Sequence, residues 1–176
     1  MKAPVFVVGY MACGKTTFGK ALARATGRDF IDLDFYIEQR FRKTIPHIFA
    51  DEGEEVFRRR EAAMLREAGE FENVVVACGG GTPCFNQNMD YMLGRGTVIF
   101  LEASPERMLQ RLEINNSRRP LMAGKSSEEM RREIEKGLAA RLPHYSRAHI
   151  RFNGNNLEDR RQIDATVASF LASNPL

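Results

Sequence analysis

Five short apolar runs punctuate this chain, and between them the apolar residues spread out to helical spacing. Pro4 to Val8 is valine-rich and ends in glycine, Val74 to Ala77 is continuous and ends in Cys78-Gly79-Gly80-Gly81, and Thr97 to Leu101 repeats the signal. Unbroken runs of this length suit strands buried on both faces. Phe30 to Leu33 and Ile150 to Phe152 complete the set. Lys15 to about Thr26 reads as a helix closed by Gly27. From Phe35 to Gly69 the pattern is helical, with Phe57, Met64, Leu65 and Ala68 recurring at helix spacing and breaks at Thr44-Ile45-Pro46 and near Gly53. A short helix is expected near Asn86 to Leu93, and Ser104-Pro105-Glu106 opens another with a cap and a first-turn proline. Ser126 with Glu129 forms a capping box for a helix reaching about Tyr145, and Leu157 to Leu171 reads as the last helix. Strands alternating with helices predict the α/β class: one three-layer domain over 1–176, a five-stranded parallel sheet with helices on both faces. Residues of about 33–69 form a helical insert. Asn115 to Ser127 has no apolar period and predicts a long exposed loop, so that about 113–127 becomes a mobile lid.

Composition narrows the function. A chain of 176 residues suits a single core, and 26 Lys and Arg against 23 Asp and Glu, interspersed, give no basic patch for a nucleic acid. No apolar stretch approaches the ~18 to 20 residues of a membrane span, so a soluble protein with neither a membrane nor a nucleic-acid partner is expected, and a monomer. Cys13, Cys78 and Cys84 are odd in number and form no C-x-x-C pair, which points to reduced thiols in the cytoplasm. His47, His144 and His149 are dispersed without the spacing of zinc ligands.

Gly9-Tyr10-Met11-Ala12-Cys13-Gly14-Lys15-Thr16 fits G-x-x-x-x-G-K-[ST] directly after a strand and at the start of a helix, the context a P-loop requires. The loop's backbone N–H groups point at phosphate oxygens, and the helix N-terminus adds about half a unit of positive charge. Lys15 neutralises the β- and γ-phosphates and the Thr16 hydroxyl ligates Mg²⁺. The co-substrate is therefore ATP with magnesium, held by Gly9, Met11, Ala12, Cys13, Gly14, Lys15, Thr16 and Thr17. Asp32 and Asp34 close the second run, one residue apart, which in an extended chain turns both carboxylates to one side. One can serve the hydrated magnesium and the other an attacking hydroxyl, although aspartate before a helix is also a common cap.

Among Arg58-Arg59-Arg60-Glu61, neighbours on a helix point ~100° apart, so one or two of the arginines can face a site. Arginine's planar fork favours an acidic acceptor. Gly79-Gly80-Gly81 follows a buried strand at the edge where open α/β sheets bind ligands. Arg118 and Arg119 put cations on the lid, where an arginine can meet charge developing on the phosphoryl group. Arg141, near a helix end, says little alone.

Taken together, GYMACGKTTFGKALA, FIDLDFYIE, IFADEGEEVFRRRE, CGGGT, SRRPLMAG and RLPHY resemble the shikimate kinase family in order and spacing over nearly the whole chain. The resemblance implies a P-loop NTPase of the nucleoside monophosphate kinase type that phosphorylates the 3-hydroxyl of shikimate, a step toward aromatic amino acids. It makes Lys15, Thr16 and the phosphate loop the grip on ATP, with Asp32 helping to hold magnesium. Asp34 becomes the acceptor-hydroxyl binder and base. Arg58 and Arg141, with Gly79, Gly80 and Gly81, would hold the shikimate carboxylate, Arg119 would reach the phosphates, and Arg111 is similar to the residue that packs on adenine. Ala12 stands where the family commonly has glycine. A gluconate kinase or a nucleoside monophosphate kinase would share loop, sheet and lid. A GTPase switch would need N-K-x-D, and no Asn-Lys pair occurs.

Overall fold

The computed structural model describes residues 2–114 and 125–176. Its sheet has five strands, β1 (Val5–Val8), β2 (Asp29–Asp32), β3 (Val74–Ala77), β4 (Thr97–Glu102) and β5 (Ile150–Asn153), in the order β2-β3-β1-β4-β5 and all parallel. β1 and β3 are buried at every position, as their unbroken apolar sequence requires of central strands covered on two sides. Among the described residues seven α-helices surround the sheet: α1 (Lys15–Thr26), α2 (Leu33–Phe41), α3 (Ile45–Glu70), α4 (Asn88–Arg95), α5 (Pro105–Ile114), α6 (Ser127–Tyr145) and α7 (Arg160–Ser173). α1 packs against β3 and α7, and Phe170 meets Phe18 and Phe152 edge to face.

Local signals explain most of the boundaries. Gly27, at φ 64°, closes α1 and gives its N–H to the carbonyls of Ala23 and Arg24. Both hydrogen bonds of the Ser126–Glu129 capping box form. Pro46 sits in the first turn of α3, where a missing N–H costs nothing, and Gly53, at φ 83° and ψ 168°, kinks that helix. The sequence breaks at 44–46 and 53 are therefore a helix start and a bend.

Three expectations shift. β2 ends at Asp32, and Leu33 already begins α2, so Asp34 lies in a helical first turn and is not extended. The side chain of Asp32 caps that helix, accepting from the Phe35 N–H. The helix expected from Asn86 begins at Asn88, because a one-turn 3-10 helix at Thr82–Cys84 precedes it and Asn86 and Gln87 take positive φ. α7 begins at Arg160, where Asp159 caps the Gln162 N–H, and Leu157 packs inward from the loop before it. Among the described residues no helix is long and apolar enough to cross a membrane.

Candidate active site

Parallel pairing decides where the chemistry gathers. Val7 and Asp32 both align with Ala77 across adjacent strands, so β1, β2 and β3 deliver the phosphate loop, the aspartates and the triple glycine to one edge. There a cleft of about 490 Å³ is lined by Met11, Ala12, Gly14, Lys15, Thr16 and Thr17 on one side and by Asp32, Asp34, Gly79 and Gly80 on the other. Arg111 and Glu158 stand at its border. Gly9 and Cys13 belong to the same loop but sit behind its surface, where Cys13 is buried.

The loop curls as a phosphate cradle must. Gly9 and Gly14 take φ 149° and 105°, and Ala12, at φ 61°, holds a left-handed conformation that costs a residue with a β-carbon about 1 kcal/mol. Lys15 Nζ donates to the carbonyls of Gly9 (2.8 Å) and Tyr10 (2.9 Å), which folds the lysine over the loop. The Thr16 hydroxyl donates to Asp32 Oδ2 at 2.7 Å, so the two oxygens can share one hard cation. Asp34 faces the same floor. Burial pushes its carboxyl up to about 6, the charge of Asp32 pushes the same way, and Lys15 pulls against both.

Each of the three glycines leaves room for a different functional side chain. A β-carbon on Gly79 would lie 2.7 Å from Asp34 Oδ1, one on Gly80 would lie 3.3 Å from Arg141 Nη1, and one on Gly81 would lie 2.8 Å from Arg58 Nη2. Residues from α2, α3 and α6 thus converge on one loop. Among the three neighbouring arginines the geometry selects Arg58: Arg60 is paired with Glu52 and stacked on Phe41, and Arg59 points to solvent.

Arg58 is held by residues whose roles the sequence did not reveal. Its Nη1 donates to Glu61 at 2.9 Å, and Glu61 is almost fully buried, also accepting from the Thr82 hydroxyl at 2.6 Å. Phe85 and Phe57 lie against the guanidinium with ring centres 4.0 and 5.1 Å away. The i, i+3 spacing of Arg58 and Glu61 was the available signal. Tyr145, fully buried and stacked on Phe100, donates its hydroxyl to the Gly80 carbonyl at 2.5 Å, a contact between distant segments that no local pattern announces. Arg111 bonds the carbonyls of Ala12, Cys13, Gly154 and Asn155 and pairs with Glu158, tying the phosphate loop to the segment before α7. Arg119 and most of the expected lid lie outside the described residues.

With this geometry in view, the comparisons are specific. The model of the shikimate kinase family matches residues 11–172. The chain belongs to the shikimate kinase family. A shikimate kinase of Phocaeicola vulgatus is 49% identical over 165 residues, covering 94% of each chain. Of solved shikimate kinases, that of Bacteroides thetaiotaomicron superposes with a TM-score of 0.95 at 44% identity, over 99% of each chain. That of Acinetobacter baumannii, determined in complex with shikimate, superposes at 0.85 and 33% identity, over 100% of this chain and 96% of the other. Shikimate kinases use ATP as co-substrate, and the cleft at the phosphate loop is where this fold family receives it.

Proposed function

We infer that this chain transfers the terminal phosphoryl group of ATP to the 3-hydroxyl of shikimate, giving shikimate 3-phosphate. The observation that carries the reading is the convergence of Asp34, Arg58 and Arg141 on Gly79, Gly80 and Gly81, beside the phosphate loop. A carboxylate for a hydroxyl and two guanidinium forks for an acid are what a small hydroxy acid needs.

The roles follow from position. The loop amides and the α1 N-terminus hold the phosphates, and Lys15, whose ammonium now rests on loop carbonyls, swings to the β- and γ-oxygens. Thr16 and Asp32 supply two hard oxygens, the donor type magnesium prefers. Among the described residues no group of three or more His, Cys, Asp or Glu side chains is placed to hold a metal, so an ion here would take its other ligands from water and phosphate. Bound there, magnesium would neutralise charge on the phosphoryl oxygens. Asp34 accepts the proton of the acceptor hydroxyl and aims its oxygen in line with the γ-phosphorus. Arg58 and Arg141 clamp the carboxylate, and Arg111, at the cleft border, packs against adenine. The enzyme acts as a cytoplasmic monomer with a helical acceptor-binding insert.

A coupled assay tests the acceptor. ATP consumption is expected to rise at least ~100-fold above background with shikimate, and to stay near background with gluconate or nucleoside monophosphates. A nucleoside monophosphate would leave two guanidinium forks without a carboxylate, and gluconate, open-chain, would present its hydroxyl at a different distance from that carboxylate. Equal consumption with any of the three would overturn the assignment. The triple glycine gives a second expectation. Gly81 has φ −89°, which any residue adopts, so a methyl there acts only by displacing Arg58. Gly81→Ala should raise the KM for shikimate by about 10- to 100-fold and leave the KM for ATP within about two-fold. Steady-state kinetics with each substrate varied separate the two, and an unchanged shikimate KM would mean that Arg58 does not bind the acid.

A further inference from the structure

Gly137 stands in the interior of α6, where a glycine costs about 1 kcal/mol relative to alanine. No bend or cap at that position accounts for it. The reason is Tyr10. A β-carbon at 137 would lie 2.7 Å from Cζ and 2.8 Å from Cε2 of the Tyr10 ring, so the missing side chain makes a notch that the ring fills. The ring is buried, and its hydroxyl donates to the carbonyl of Glu133 at 3.4 Å. One turn beyond the notch, the Arg141 guanidinium lies over the same ring, 5.1 Å from its centre. Glu133, Gly137 and Arg141 are spaced by four and share one helix face, and Tyr10 lies along it.

Tyr10 is also a residue of the phosphate loop, and its carbonyl accepts from Lys15 at 2.9 Å and from the Cys13 N–H at 3.3 Å. The side chain therefore reaches from the nucleotide grip to the helix that carries an acceptor cation. Arg141 also meets the Tyr145 hydroxyl in a hydrogen bond and borders Gly80, which offers no side chain, so the Tyr10 ring is the group that covers its guanidinium face.

We propose that Tyr10 is a positioning residue for Arg141: its ring, seated in the Gly137 notch, holds the face of the guanidinium at the angle from which it grips the acceptor carboxylate. Tyr10 touches neither substrate in this role and acts on acceptor affinity alone. The inference rests on the reading of shikimate as the acceptor.

The test is a kinetic and thermal cycle on the full chain with ATP and magnesium saturating and shikimate varied. Tyr10→Leu, which fills space without a π face, should raise the shikimate KM by about 5- to 20-fold, with kcat and the ATP KM within about two-fold. Tyr10→Phe, which keeps the ring, should restore a KM near that of the parent. Gly137→Ala should raise the KM in the parent by pushing the ring aside and should lower Tm. In the Tyr10→Leu background it should leave the KM alone and raise Tm, since alanine is the better helix former once the ring is gone. Gly137→Ala also probes the contact without altering the phosphate loop, should Tyr10→Leu fail to fold. Equal KM values for Tyr10→Leu and Tyr10→Phe, or additive effects in the double variant, would overturn the proposal. A parent that neither binds nor phosphorylates shikimate overturns the functional reading as well, whereas a working parent with one KM across all variants overturns this inference alone.

Discussion

Asp34→Asn is expected to lower kcat by about three orders of magnitude and, without ligands, to make the protein more stable at neutral pH. The first effect follows from removing the proposed proton acceptor while keeping shape, a change worth ~10²- to 10⁴-fold for a positioned general base. Nucleotide binding should hardly move, since Lys15, Thr16 and the loop amides are untouched. The second effect follows from where the carboxylate sits. Burial and Asp32 raise its pKa to about 6 in the folded chain, against about 3.8 unfolded. A raised carboxyl pKa means that the folded state is penalised once the group ionises. That penalty is absent below about pH 4, grows between about 4 and 6, and is complete above 6. Near pH 7.5 the asparagine variant should therefore gain on the order of 3 kcal/mol, and the gain should vanish as pH falls toward 4. Thermal melts of nucleotide-free, magnesium-free protein at several pH values measure it. An equal gain at pH 4 and pH 8 would show that packing, not charge, is responsible, and full turnover by the variant would remove Asp34 from the chemistry.

Arg58→Ala should have the next largest effect and should be harmful twice over. It removes half of the proposed carboxylate clamp, which should raise the shikimate KM by at least ~100-fold. It also leaves Glu61, 1% exposed, without its cation and with only the Thr82 hydroxyl to satisfy it. Breaking a buried pair from one side costs about 3 to 5 kcal/mol, so the variant should melt well below the parent. Arg141→Ala should match the loss of affinity without that loss of stability, because no buried acid depends on Arg141 for its charge balance. Adding Glu61→Gln to Arg58→Ala should recover most of the melting temperature and none of the affinity. Parallel melting curves and shikimate titrations of the three variants decide the matter, and a double variant as unstable as Arg58→Ala would show that Glu61 is not the cause.

How much of this the sequence disclosed depended on how local each signal was. The phosphate loop was legible because strand, glycines, lysine and helix start lie within a dozen residues, and the capping box at Ser126 and Glu129 was legible for the same reason. β1 and β3 announced themselves because strands covered on both faces carry no polar residues to blur the pattern, and β4 did so because its polar residues, Thr97 and Glu102, stand only at its ends. Asp34 was placed on an extended segment because it closes the second apolar run with one residue between it and Asp32, yet the Phe35 N–H donates to the Asp32 side chain and the chain turns helical at Leu33. Helix periodicity could not choose among Arg58, Arg59 and Arg60. The choice is made by partners 20 to 30 residues away, Thr82 beneath Glu61 and Phe85 over the guanidinium. Tyr145 and Gly137 were passed over for the same reason, since what each meets is a strand-end loop far away in the chain.

The triple glycine has a consequence for how this fold can change its diet. A β-carbon at Gly79 or Gly81 would collide with Asp34 or Arg58, and one at Gly80 would require Arg141 to give by a few tenths of an ångström. The loop is thus closed as a route to new acceptors. A descendant that phosphorylates a different small molecule must first remodel the helices facing the loop, above all α2 and α3, where the chain can vary without trespassing on the glycines.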